Sequence, residues 1–167
     1  MEKDPEIRVR RARPSDADRI AEFINRAQAG AISVAAGDVR ERFGVIGFML
    51  TERDGEIIGL LGWRVENLVA RVTDFLVWPA VERLVAGRAM VSEMEQAGRE
   101  LQCEAALLYL PRHVPTQLLA FWEAFGYQVK KVESLPKAWR EAAQEVRSLG
   151  ERVVVKQIRE DMISSPL

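Results

Sequence analysis

One cysteine, Cys103, and one histidine, His113, stand in a chain of 167 residues. A single thiol excludes an internal disulfide framework, and one thiol with one imidazole lacks the clustered ligands of a zinc site. An excess of either charge is missing too. The 24 Lys and Arg nearly balance the 25 Asp and Glu, leaving a formal net charge of −1. No global field therefore draws the chain to nucleic acid or to anionic lipid. No apolar run approaches a bilayer span, and the leading MEKDPEIRVRRARP has no apolar signal core, which points to the cytoplasm. Repeats, low-complexity tracts and linkers are absent. What is present is 48% apolar and 29% charged residues, the balance of one globular domain over residues 1–167 with a core to bury.

Ile7 and Val9 alternate with Arg8 and Arg10, as in a half-buried strand. Ser15 and Asp18 form an S-x-x-D helix start, and Ile20, Phe23, Ile24 and Ala27 follow at helical spacing. Residues 29–37 read as a loop and 38–42 as a short polar helix. Three strands come next, over 45–52, 56–65 and 68–78, the first two joined by the Asp54-Gly55 turn signal and the third ended by Pro79. A long helix over 81–101 sets Leu84, Val91, Met94 and Leu101 on one side. Beyond it lie a strand at 105–110, a helix at 115–125 stopped by Gly126, a strand at 127–132, a helix at 136–149 and a last strand at 152–157. The fold class is α/β, a mixed, mostly antiparallel sheet flanked by helices.

The runs DGEIIGLLGW, RVTDFLVWPAVERLVAGRAMVSEMEQAGREL and LLAFWEAFGYQV resemble the GNAT N-acetyltransferase superfamily over roughly residues 7–157, leaving a short tail at 158–167. In that family a strand ending in V-x-P leads into R/Q-x-x-G-x-G/A at the start of a long helix. Backbone N–H groups there receive the pyrophosphate of acyl-CoA. Val77-Trp78-Pro79 matches V-x-P, and Gly87 matches the second glycine. The resemblance implies acetyl-CoA or another acyl-CoA as co-substrate, held by Phe75, Val77, Arg83, Gly87, Arg88 and Ala89. It also implies a small-molecule or protein amine as acceptor, with neither nucleic acid nor membrane as partner, and it leaves room for a homodimer.

By its motif the chain resembles a divergent member. Glu82 stands at the Arg/Gln position and Val85 at the first glycine; a register shifted by two puts Gly87 and Ala89 in the glycine positions and Leu84 at Arg/Gln. A carboxylate facing the phosphates would reverse a Coulomb interaction of about 1 to 4 kcal/mol at ~4 Å. Glu82 pointing to solvent or serving the helix N-terminus would escape that, and Arg83 or Arg88 could restore positive charge. At the position of the family's acid tyrosine stands Trp122, whose indole cannot deliver a proton. Tyr127 reads as core, which leaves Tyr109 as the candidate acid. The usual base positions hold Thr73 and Arg71; Asp74 belongs to the other face of the strand, and Glu66 and Asp38 are distant candidates. Two functions therefore stay open: an acyltransferase relying on proximity and backbone polarisation, and a catalytically inactive GNAT-fold module binding a ligand or a protein.

Several residues have plainer readings. Cys103 suits a small buried hydrophobe, His113 a solvent-facing loop, and Trp122 a core site beside Phe121 and Phe125. Arg8, Arg10, Arg11 and Arg13 suit an edge strand that discourages pairing. The inserted helix at 136–149, with Trp139, Ala142, Ala143, Val146 and Leu149 in a stripe, suits packing on its own sheet, with a lid or a dimer contact as the alternative.

Overall fold

Asp54 and Gly55 turn the chain with φ values of +51° and +84°, the left-handed pair that a two-residue hairpin needs. That turn sets the pairs Arg53↔Glu56 and Glu52↔Ile57, and after a one-residue register shift at Thr51/Glu52 the antiparallel pairing runs on to Gly47↔Trp63. The computed structural model describes residues 6–31, 33–110, 113, 115–144 and 152–160. Its strands are β1 (Ile7–Arg11), β2 (Gly47–Arg53), β3 (Glu56–Glu66), β4 (Val69–Val77), β5 (Ala105–Leu110), β6 (Gln128–Lys130) and β7 (Arg152–Gln157). The helices are α1 (Ala17–Ala27), α2 (Ala36–Arg42), α3 (Arg83–Glu100), α4 (Thr116–Ala124) and α5 (Lys137–Gln144). One mixed seven-stranded sheet runs in the order β1-β2-β3-β4-β5-β7-β6, with β4 and β5 parallel through Val69↔Ala105 to Arg71↔Leu107. No helix among the described residues is long and apolar enough to cross a membrane. The packing divides into two compact units, Met1–Arg64 with Thr73–Met94, and Val65–Val72 with Glu95–Leu167.

In the first unit Ile20 and Phe23 of α1 are buried against Val39, Phe48, Leu50, Ile57 and Leu60, the face that the helical spacing predicts. The start of α1 differs from expectation. Asp16, rather than Ser15, holds the N-cap position of α1 and makes no side-chain bond to the helix; its Oδ2 accepts the Arg13 N–H at 2.7 Å, closing a 3-10 turn over Pro14–Asp16 that precedes the helix. The cause is long-range. Arg10 of β1 donates to both oxygens of Asp16 at 2.9 and 2.8 Å and to Glu52 of β2 at 2.7 Å, so the carboxylate that closes the turn also ties helix to sheet. The Arg10 bonds hold the Asp16 carboxyl down at about 2, from an ordinary 3.8, against burial acting the other way. Burial raises Glu52, but the bonds from Arg10 and Arg19 outweigh it and hold this carboxyl below its usual range.

The long helix begins at Arg83, after a 3-10 turn over Ala80–Glu82. Val91 and Met94 are fully buried as expected, yet Leu84 is 59% and Leu101 56% exposed. Leu84 shares the azimuth of Val91 but precedes the point where α3 meets the sheet, marked by the Thr51 hydroxyl donating to the Ala86 carbonyl at 3.3 Å. Leu101 lies past the last helical residue. On β3, Gly62 is required by a close approach. A Cβ there would collide with the Asp74 carboxylate and come within 2.8 Å of Thr73 Oγ1. Asp74 in turn is gripped by both terminal nitrogens of Arg42 and receives the Thr73 hydroxyl at 2.7 Å.

In the second unit Trp139, Ala142 and Ala143 of α5 are buried with Val69, Ala105, Leu107, Val153 and Val155. The described part of the expected 136–149 helix thus packs on its own sheet, and Trp139 donates to buried Glu104 at 3.0 Å. Val146 and Leu149 lie outside the described residues. β6 is shorter than the expected 127–132 because Tyr127 turns into the core, its ring 4.9 Å from Trp122 and its hydroxyl 3.1 Å from Glu95. Lys156 completes that site with a 2.8 Å bond to Glu95.

Because the folded-state Asp16 carboxyl lies below its unfolded value, its stabilisation is present above about pH 4 and lost as pH falls through about 2. Asp16→Asn is expected to cost about 1–3 kcal/mol in urea unfolding at pH 7 and to flatten the loss of stability between those pH values. Gly62→Ala is expected to cost about 1–3 kcal/mol by thermal unfolding, since Asp74 cannot yield without leaving Arg42.

Candidate functional site

Strand β4 carries Phe75 and Val77, both half-buried, to the turn where α3 begins. The Trp78 N–H donates to the Ile58 carbonyl at 3.0 Å, and the Glu82 N–H to Pro79 at 3.0 Å. In this turn the Arg83 N–H donates to the Ala80 carbonyl, and the 18-residue helix that begins there carries the positive end of its dipole at the turn. Gly87 is buried in the second turn, Ala89 is half-buried and Arg88 exposed. The guanidinium of Arg83, half-buried in the first turn, has no ion-pair partner among the described residues. The six residues expected at the cradle thus lie along one continuous strand–turn–helix.

Glu82 stands in the turn just before α3, the helix-terminus place foreseen as one alternative, and its charge is paired there. Its Oε2 accepts from Arg53 Nε at 3.0 Å and Nη2 at 2.7 Å, so its charge is matched by the last residue of β2. Arg53 is the partner of this segment that the sequence did not announce. It sits 29 positions away, and only the β2–β3 hairpin brings it near; no local spacing announces it. Around the helix end Val81 is 83% and Val85 46% exposed, so with Leu84 they form an apolar rim, and Val85 stands where the family motif has its first glycine. Trp78 borders that rim, with the Arg26 guanidinium 5.2 Å from its ring centre.

The candidate bases are engaged elsewhere. Asp38 accepts the Ala35 N–H at 3.0 Å at the start of α2, Asp74 is bound by Arg42, and Glu66 pairs with buried Arg71 at 3.4 Å. Trp122 is fully buried, with ring centres of Phe121 and Tyr127 at 5.4 and 4.9 Å. Burial first, and Glu95 second, push the Tyr127 hydroxyl well above its usual value, which fits a core brace and not an acid. Tyr109 stands half-buried on β5, packed against the Val69–Leu107–Trp139 cluster of the second unit. His113 is exposed, as expected. Cys103 is fully buried, and burial pushes its thiol up to about 11, so it holds its proton at neutral pH.

Known proteins sharpen this picture. Residues 15–127 match the model of the Acetyltransferase (GNAT) family. No curated protein sequence matches the chain significantly. Among solved structures, a GNAT-family acetyltransferase from Staphylococcus aureus superposes with a TM-score of 0.72 at 16% identity, covering 92% of this chain and 100% of that one. The ribosomal-protein-S18-alanine N-acetyltransferase of Escherichia coli gives 0.70 at 12% identity, covering 97% and 100%. The PaiA N-acetyltransferase of Thermoplasma acidophilum, solved with coenzyme A, gives 0.66 at 14% identity, covering 91% and 99%. At these identities the superpositions establish the fold alone, whereas the family model spans most of the chain and names its kin. The chain belongs to the GNAT acetyltransferase family.

Proposed function

We propose that this protein is an N-acyltransferase that moves an acetyl or other acyl group from acyl-CoA to an amine. One observation carries the reading: the only acidic side chain in the opening turn of the cradle, Glu82, is already matched by Arg53. An incoming diphosphate then meets the N–H groups of the α3 terminus and the Arg83 guanidinium instead of a bare carboxylate. The donor set fits the group. Phe75 and Val77 would flank the pantetheine arm, and Arg83, Gly87, Arg88 and Ala89 would hold the phosphates.

Acyl-CoA supplies the thioester whose carbonyl carbon the amine nitrogen attacks; a C–N bond forms, the C–S bond breaks, and the amine loses one proton. The chain orients the two reactants and aims the β4 backbone at the acyl oxygen. The departing thiolate gains a proton from water, so the transfer balances without a side-chain acid. The Escherichia coli structure is named for a protein alanine acceptor, so peptide N-termini belong beside small amines in any acceptor panel. Burial of Trp122 at the family's acid position favours a second reading, a GNAT-fold module that binds acyl-CoA or a partner without turnover.

Calorimetric titration with acetyl-CoA and free CoA, followed by turnover assays across that panel, separates the two. Binding with turnover is expected; no binding at about 1 mM ligand sinks the enzyme reading. Arg53→Gln is expected to weaken CoA about tenfold, less so at high salt, by releasing the Glu82 charge. Arg53→Gln combined with Glu82→Gln is expected to restore affinity. Val85→Gly is expected to tighten CoA by about threefold to tenfold by opening the rim.

A further inference from the structure

The sheet ends on β1, and the open side of that strand is unusually armed. Two bonds fix its polarity. The Ala12 N–H donates to the Phe48 carbonyl at 2.8 Å, and the Asp54 N–H to the Glu6 carbonyl at 3.2 Å. In the Ile7↔Arg53 register the even positions therefore face β2, and Ile7 and Val9 direct their N–H and C=O groups outward. Four arginines, Arg8, Arg10, Arg11 and Arg13, crowd into six positions of a chain whose net charge is −1. Arg10 is committed to Asp16 and Glu52. Arg8, Arg11 and Arg13 are exposed, and no ion pair involves them among the described residues. Together they line a depression of about 530 Å³ whose one acid is the Asp16 already bound by Arg10.

We propose that the outer edge of β1 docks an acidic, extended polypeptide segment, which adds to the sheet as a further strand clamped by Arg8, Arg11 and Arg13. The main chain of Ile7 and Val9 supplies the ladder, the general mode of strand addition. Arg8 and Arg11 project from opposite faces of β1, so each contacts a different face of the incoming strand, and Arg13 stands past its end. A second copy of this chain is a poor occupant. Antiparallel pairing of two β1 edges about Val9 sets arginine against arginine, which is destabilising. Single-stranded nucleic acid is poorly served as well, because no aromatic side chain lines the depression to stack on a base. The arginines that protect a bare edge from neutral strands thus become a filter that admits acidic ones. This surface is separate from the cradle and holds whether or not the chain transfers acyl groups.

The test uses the full chain and a capped seven-residue peptide of alternating glutamate and threonine, followed by fluorescence anisotropy and by amide NMR shifts. Binding is expected, with the largest shifts at Ile7 and Val9. Methylating alternate backbone nitrogens of the peptide, which keeps its charge but removes its ladder donors, is expected to cost at least about tenfold in affinity. Arg8→Glu with Arg11→Glu is expected to abolish binding; Arg8→Gln with Arg11→Gln, milder on the fold, is expected to weaken it about tenfold. Circular dichroism checks that both variants are folded. Three results overturn the proposal: no binding at about 1 mM peptide, equal binding of the methylated peptide, or tighter binding of an oligouridylate RNA than of the acidic peptide.

Discussion

The contact between Glu82 and Arg53 decides whether the strand–turn–helix at the end of β4 can serve an anion. A helix N-terminus attracts negative charge through backbone groups that no side-chain substitution removes. A carboxylate in the turn before it would oppose that attraction. Arg53, delivered by the β2–β3 hairpin, takes the carboxylate through two nitrogens at 3.0 and 2.7 Å. The pair is only partly exposed, at 25% and 20% of the side chains, so solvent screens it incompletely. The substitution that looks most damaging in the motif is thereby neutralised within the first unit. What is left to weaken a cradle is steric and apolar: Val85 in place of a glycine, with Val81 and Leu84 beside it.

Much of this was legible in the sequence, and the failures have a common cause. Alternation at Ile7 and Val9, the Asp54-Gly55 turn, the α1 stripe and the helix–strand order after Pro79 are local patterns, and the structure follows them. The motif also placed the cradle residues on one continuous segment. Errors came where a distant residue overrode a local rule. Arg10 recruits Asp16, which closes a 3-10 turn ahead of α1 where a Ser15 start was expected. Arg53 claims Glu82, and Arg42 claims Asp74 across a gap that Gly62 keeps open. Ends of elements were the other weak point, because Leu84 and Leu101 share the periodicity of buried neighbours but lie beyond the sheet they would need.

The ionisable residues weighed for chemistry are spent on architecture. Asp38 caps α2, Glu66 answers Arg71, and the Tyr127 hydroxyl braces Glu95 with Lys156. Trp122 fills the core. A chain in that state has few groups to move protons, so any transfer it performs leans on binding and orientation, which can supply several kcal/mol of a barrier without an acid or base. The proposed diphosphate site is then the part on which the acyltransferase reading turns.

The most direct measurement of that site compares the affinity of CoA with that of pantetheine, which has the thiol arm but no diphosphate. If the α3 terminus and Arg83 receive the phosphates while Arg53 holds Glu82 aside, CoA binds at least about tenfold tighter, and the difference shrinks as salt rises. Equal affinity for the two ligands would contradict the account.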